Sequence, residues 1–110
     1  MFLPSSYRIT LAADEAFLFE IAVIATRTDS DGETNAWRFS GGIDRYASES
    51  PDTQLVSGSY TTDMAHLEQI GWSVVPSADT TNNSLKITVY GAASKTIRWV
   101  ARVKLVKVKG

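Results

Sequence analysis

The sequence contains no cysteine and only one histidine, His66, among its 110 residues. Without cysteine the chain can form neither disulfide bonds nor thiolate metal sites. A single histidine cannot build a zinc site by itself, and no nucleophile motif with serine or aspartate surrounds His66. We therefore expect His66 to lie at the surface or at an interface, and we expect neither a cofactor nor a metal site.

An excess of one charge and a long apolar run are missing as well. Eleven Lys and Arg residues balance twelve Asp and Glu residues, which gives a formal net charge of -1. This balance gives no general reason to expect nucleic acid or an anionic membrane as partner. No segment approaches the length of a bilayer span, and the N-terminal residues MFLPSSYR lack the basic leader of a signal peptide. We expect a chain that is made and used in the cytosol.

Alternation of apolar and polar residues runs through most of the chain, whereas signals for helices are scarce. The clearest case is Ser84–Val108, where two alternating arms flank a connection that begins at Gly91. A two-residue period places one face of a strand in the core and the other in solvent. Together with a glycine in the connection, this stretch predicts two strands that pair as an antiparallel hairpin.

About eight alternating segments follow one another, with turn signals roughly every ten to fourteen residues. This spacing predicts an all-β fold, an antiparallel β-sandwich that is jelly-roll-like. The length fits one domain, which we place at residues 7–110 after an N-terminal arm at residues 1–6. Within the strands, the adjacent Gly41 and Gly42 predict a bend, and Pro76 predicts an edge position.

The segment Ala16–Thr28 is the most apolar in the chain, and both of its alternating faces carry apolar residues. Three alanines would also suit a helix, but Phe, Ile, Val and Thr favour a strand and no clear helix cap precedes Ala16. A single small domain rarely covers both faces of a strand, so we expect the second face to contact another subunit. The residues of this predicted subunit interface are Leu18, Glu20, Ala22 and Ile24.

The acidic residues give no pattern typical of catalysis. Asp29–Asn35 is interpreted as a solvated hairpin tip; the alternative, a calcium loop, lacks the remaining ligands of an EF-hand and lies between strands. Asp44, Glu49 and Asp52 lie on turns or on solvent-facing strand positions. They therefore do not form the pair of carboxyl groups with separated pKa values that acid–base chemistry needs. We expect no catalytic residues and no enzyme.

Three stretches carry a resemblance to a known family: IAVIATRTDSDGETNAWRFSGGIDR, then TQLVSG, then GWSVVPSADTTNNSLKITVYGAASKTIRWVARVKLVKV. In order and spacing they resemble a β-rich module that recurs in structural proteins of tailed bacteriophages, over about Tyr7 to Val108. The resemblance implies a virion component without catalysis that is trimeric. The chain departs from the fibre context because only six residues precede the module, which leaves no shaft. Its ending KLVKVKG is also more basic than the ending of the family pattern.

Two functions follow from this resemblance, both for a virion protein made in the host cytoplasm. The first is a homotrimeric capsid decoration (cement) protein that binds the major capsid protein or another virion protein. The second is a tail-fibre or receptor-binding tip in which Trp37 or Tyr46 stacks on host surface glycans. For Trp37, Trp72 and Trp99, however, the alternation favours positions in the core.

The two chain ends are the predicted attachment regions. We interpret the alternation as holding from Ile97 to Leu105 and then changing phase, since Leu105 and Val106 are adjacent apolar residues. A change of phase predicts that the strand bulges or leaves its sheet near Val106. We therefore assign virion attachment to the N-terminal arm and to the C-terminal end, through Met1, Phe2, Leu3, Val106, Lys107, Val108 and Lys109.

Overall fold

The structure, a computed structural model, describes residues 5–29, 32–46 and 53–110. In these ranges the chain forms eight β-strands, one short 3-10 turn at Val56–Gly58 and no α-helix. The strands are β1 (Ser6–Thr10), β2 (Glu15–Arg27), β3 (Thr34–Arg45), β4 (Thr53–Leu55), β5 (Thr61–Leu67), β6 (Ser73–Asp79), β7 (Ser84–Tyr90) and β8 (Ile97–Lys109). The helix alternative for the segment around β2 is thereby excluded.

The strands form two antiparallel sheets. The three-stranded sheet has the order β1-β7-β6, and the five-stranded sheet has the order β4-β3-β2-β8, with β5 also paired to β3. β4 and β5 share the same edge of β3, since β4 pairs with Ile43–Arg45 and β5 pairs with Asn35–Ser40. The predicted all-β antiparallel sandwich is confirmed.

The core lies between the two sheets because alternate residues of each strand point inward. Along β2 the inward side chains are all buried, and those of β7 face them from the other sheet. The inward residues of these two strands are Phe17, Phe19, Ile21, Val23 and Ala25 in β2 and Leu85, Ile87 and Val89 in β7. Burial of a large aliphatic or aromatic side chain contributes about 1.5–3 kcal/mol, so these two strands dominate the packing.

The three tryptophans are buried together, which confirms their predicted core positions. The rings of Trp37 and Trp99 stack with centroids 5.8 Å apart. Trp72, from the segment before β6, packs against Trp99 with centroids 6.2 Å apart. This aromatic cluster joins the five-stranded sheet to the entry of the three-stranded sheet.

The predicted hairpin of Ser84–Val108 is wrong in its pairing. β7 pairs with β1 and β6, whereas β8 pairs with β2 in the other sheet. Each arm does have one apolar face, but the arms lie in opposite layers and bury those faces in the shared core. In the connection, the positive φ of 62° falls at Ser94 and not at Gly91.

The predicted break near Val106 is also wrong. β8 pairs with β2 residue for residue from Ile97 to Lys109, without a bulge, and places Val106 opposite Leu18 and Val108 opposite Ala16. Side-chain direction therefore alternates without interruption to the end of the strand. What changes at Val106 is the polarity of the outward residues: Arg102 and Lys104 precede it, whereas Val106 and Val108 are apolar.

Three smaller predictions have mixed outcomes. No bend interrupts the pairing of Gly41 and Gly42 with β2; the irregularity in β3 lies between Arg38 and Phe39, in its pairing with β5. Pro76 lies in β6, which is an edge strand as expected. Of the N-terminal arm, Ser6 already belongs to β1, and Met1, Phe2 and Leu3 lie outside the described residues.

Candidate functional site

The two outward faces of the sandwich differ in chemistry. On the three-stranded sheet the outward positions are mostly polar, with Val75 and Tyr90 as the exposed large hydrophobic residues. The outward residues of that sheet are Ser6, Arg8, Thr10, Ser73, Val75, Ser77, Asp79, Lys86, Thr88 and Tyr90. The opposite side of the protein exposes several large apolar side chains at once.

We call that opposite side the outer face. It consists of the residues of β2, β3, β5 and β8 that point away from the three-stranded sheet. These residues are Leu18, Glu20, Ala22 and Ile24 of β2; Ala36, Arg38, Ser40 and Gly42 of β3; Met64 and His66 of β5; and Val100, Arg102, Lys104, Val106 and Val108 of β8. The direct cross-strand pairs on this face therefore include Leu18 with Val106, Glu20 with Lys104, and Ile24 with Val100.

Both ends of the outer face are apolar. The exposed fractions are 60% for Leu18, 51% for Ile24, 69% for Val106 and 67% for Val108. At one end Leu18, Val106 and Val108 line a cleft together with Val56, which follows β4. Monomeric proteins rarely expose contiguous apolar patches of this kind unless they serve contact with another molecule.

The other end of the outer face is a shallow apolar depression between two arginines. Ala22 lies between Arg38 on β3 and Arg102 on β8, because it is the cross-strand partner of both. The depression belongs to a cavity of about 800 Å³ that also extends along β8 to Tyr7 and Leu105 on the inner side. Its outer-face lining is Ala22, Ile24, Ala36, Arg38, Met64, Val100 and Arg102.

A charged band separates the two apolar ends. Glu20, Arg38, Asp63, Arg102 and Lys104 line one depression of about 300 Å³. Within the part of the chain that the structure describes, none of the five makes a salt bridge or a side-chain hydrogen bond. Charges of both signs are thus held close together on a rigid sheet without being paired in the monomer.

The residues predicted as two separate sites lie on one surface. Leu18, Glu20, Ala22 and Ile24, the predicted subunit interface, occupy the outer face of β2. Val106 and Val108, predicted for virion attachment, occupy the same face of β8. The alternation of each segment was visible in the sequence, but only the register between β2 and β8 brings the two sets together.

The remaining attachment residues are placed differently. Lys107 points to the inner side, where its Nζ lies 5.1 Å from the centroid of the Phe17 ring. This geometry is a cation–π contact, which stabilises the fold. Lys109, opposite Glu15 at the end of β8, is exposed.

Arg38, Arg102 and Met64 are outer-face residues that the sequence analysis did not select. Each arginine alternates with apolar residues of its own strand, which is the pattern of a solvent-facing position. The two arginines flank Ala22 only when β3 and β8 pair with β2 on either side. The sequence offered one signal, the shared alternation phase of Arg102, Lys104 and Val106.

The strongest electrostatic perturbation is on the three-stranded sheet, at Asp79. Its carboxylate accepts hydrogen bonds from Asn82 Nδ2 (2.8 Å), from Arg8 Nε (2.7 Å) and from the backbone N–H groups of Thr81 and Asn82 (3.1 Å each). These donors, first the Asn82 amide and then the Arg8 guanidinium, hold the pKa of Asp79 well below its ordinary range. These hydrogen bonds of Asp79 hold the turn between β6 and β7 in place.

The single histidine is exposed on β5, as expected. His66 Nε2 lies 3.0 Å from Glu68 Oε2, and the Thr34 backbone N–H donates to Glu68 Oε1 at 2.9 Å. These two interactions lower the pKa of Glu68. Among the described residues no group of three or more His, Cys, Asp or Glu side chains could hold a metal ion.

The two aromatic residues predicted to stack on glycans have different environments. Trp37 is only 6% exposed because its ring is part of the tryptophan cluster. Tyr46 is 41% exposed and lines a cleft of about 550 Å³ with the polar side chains of Asp44, Gln54 and Ser77. Of the two residues, Tyr46 alone presents an accessible ring.

No protein family, curated protein or solved structure matched this chain when it was compared with them. In residues 5–29, 32–46 and 53–110, no helix has the length and apolar character needed to cross a membrane.

Proposed function

We propose that this protein is a non-enzymatic structural component of a bacteriophage virion, a homotrimeric capsid decoration (cement) protein that stabilises the head. The observation that carries the proposal is the outer face, a broad surface with exposed apolar residues at both ends and charges between them. The sequence resemblance to a module of tailed-phage structural proteins supports the placement in a virion.

A cement protein works by adhesion, so it needs area more than it needs a deep cleft. A face of thirteen residues by four strands measures about 43 Å by about 19 Å, or about 800 Å². Stable protein interfaces bury about 800 Å² on each partner, so this face is large enough for a specific contact. The exposed apolar side chains supply the favourable burial, and the charged band supplies orientation.

The partners in this proposal are other copies of the chain and the major capsid protein or another virion protein. The chain would be made in the host cytoplasm and function in the particle. Copies join through the outer face, which includes the predicted interface of β2 and the adjoining valines of β8.

A density map of purified particles tests this proposal by locating the chain. We expect it on the outer surface of the head, in groups of three. A matched pair of variants links location to the outer face: Val106→Asp should reduce incorporation into particles, and Val75→Asp, on the three-stranded sheet, should not. Absence of the protein from purified particles, or equal incorporation of both variants, would contradict the proposal.

A second candidate function is a tail-fibre or receptor-binding tip that contacts host surface glycans. The exposed ring of Tyr46 beside Asp44, Gln54 and Ser77 favours it, since an aromatic face with nearby polar groups suits a sugar ring. Titration of the purified protein with host surface glycans tests it. Binding that is lost in Tyr46→Ala, together with a tail location in the density map, would favour this function over the cement role.

A further inference from the structure

The two lateral sides of the outer face differ in charge. On the β8 side the outward residues include Arg102 and Lys104 and no carboxylate. On the opposite edge, β5 carries Asp63. Glu20 on β2 lies between the two sides, directly opposite Lys104, and Arg38 on β3 is diagonal to it.

Asp63 lies at the irregularity where β5 changes register along β3. Met64 pairs with Arg38 and Thr62 pairs with Phe39, so Asp63 is the extra residue between them. Its level along the strands is therefore between the row that contains Arg102 and the next row, which contains Val103. Arg102 is therefore the β8 cation nearest in level to an Asp63 carboxylate brought to the β8 side, and Lys104 lies one row beyond Val103.

Within one chain Asp63 does not pair with Arg102 or Lys104, although all three line the same depression. β8 and β5 are separated by β2 and β3, which places their backbones three strand spacings, or about 14 Å, apart. In line with this distance, Asp63, Arg102 and Lys104 make no salt bridge with any described residue.

We propose that the β8 side of the outer face of one copy packs on the β5 side of the outer face of a second copy, with Arg102 and Lys104 facing Asp63. This contact rests on the self-assembly stated under the proposed function and specifies its geometry. It also brings the exposed Val106 of one copy towards the apolar surface around Val56 and Gly42 of the next.

Charge favours a second copy as the occupant. The face is complementary to itself only when its two sides meet, because β8 against β8 would oppose cations to cations, which is unfavourable. A two-fold relation would form this contact twice between two copies, whereas a heterologous relation would form it once per neighbour and close into a ring when the rotation allows.

Charge reversal with rescue tests the contact. Lys104→Glu and Asp63→Lys should each weaken self-association by about tenfold or more, and the double variant should restore it. Sedimentation velocity of the full chain measures the association, and thermal unfolding confirms that each variant is folded. Lys86→Glu, on the three-stranded sheet, is the matched control and should leave association unchanged. Additive losses in the double variant would overturn the proposal.

Cysteine cross-linking gives an independent test because the chain has no cysteine of its own. In Asp63→Cys/Lys104→Cys, the strand separation of about 14 Å prevents a disulfide within one chain, since disulfides need Cα atoms about 4.4–6.8 Å apart. Oxidation should therefore join different copies. Lys104→Cys alone should stay monomeric on denaturing gels, and a cross-linked dimer of that single variant would contradict the proposal.

The two proposals fail in different ways. Cross-linking of residues 63 and 104 that ends at trimers supports both the contact and the trimeric cement protein. Cross-linking that ends at dimers supports the contact and contradicts the trimer. A chain that shows no cross-linking and no self-association, yet is found on heads, contradicts the contact and leaves the virion role intact.

Discussion

Gly41 of β3 lies directly against the ring of Phe19 of β2. A Cβ atom on Gly41 would lie 2.8 Å from Cζ of Phe19, closer than such atoms approach in real proteins. Phe19 is fully buried, so a shift of its ring must be taken up by its neighbours in the core. The glycine is thus required by a neighbouring side chain, and the strand continues through it without a bend.

Gly41→Ala should therefore lower the free energy of unfolding by about 1–3 kcal/mol, the usual cost of overpacking a core. Chemical denaturation with fluorescence detection measures this. The control is Gly71→Ala, where no atom lies within 4 Å of the new Cβ. Equal stability of the two variants would show that Phe19 adjusts without cost.

Asn35→Ala should destabilise the protein through the turn that follows β5. The buried Asn35 side chain donates to the Gln69 carbonyl (2.7 Å) and accepts from the backbone N–H groups of Glu68 and Gln69 (2.9 Å each). Its removal leaves these groups without their partner, and we expect a loss of about 2–3 kcal/mol. Denaturant unfolding measures the loss, and Gln54→Ala at an exposed position is the control.

Stability should fall in acid partly through Asp79. Asn82 and Arg8 lower the pKa of Asp79 in the folded protein. The contribution of Asp79 to stability is therefore complete above the ordinary pKa of 3.8, and it is lost as the pH falls from that value towards the pKa in the folded protein. Asp79→Asn should reduce this pH dependence, measured as the melting temperature between neutral and strongly acidic pH. Asp14→Asn, at an exposed carboxylate without a salt bridge to any described residue, is the control. An unchanged pH profile in Asp79→Asn would contradict the assignment.

Lys107 and Val108 are adjacent in sequence but should affect different properties. Lys107→Gln removes the contact with the Phe17 ring and should lower stability by about 0.5–1 kcal/mol without changing self-association. Val108→Asp places a charge at one apolar end of the outer face and should weaken self-association with little effect on stability. Unfolding curves and sedimentation velocity distinguish the two effects. Loss of association in Lys107→Gln would contradict this division.

Much of the candidate site could be anticipated one strand at a time. The alternation of β2 assigned Leu18 and Ile24 to its second face, and the absence of a third layer suggested that the face is exposed. Arg38 and Met64 could not be selected, because their relation to Ala22 depends on strands that are distant in sequence.

By itself the sequence determined that the chain forms strands, which residues of each strand point inward, and that the tryptophans are buried. These properties are local, because the two-residue period and the turn residues are written within each segment. The tertiary structure decided which strands are neighbours. It separated β7 from β8 into two sheets, and it placed Val106 beside Leu18 on a single outer face. A strand with one apolar face can bury that face equally well next to its partner in one sheet or opposite it in the other sheet. Only the packing of the whole chain selects between these two arrangements.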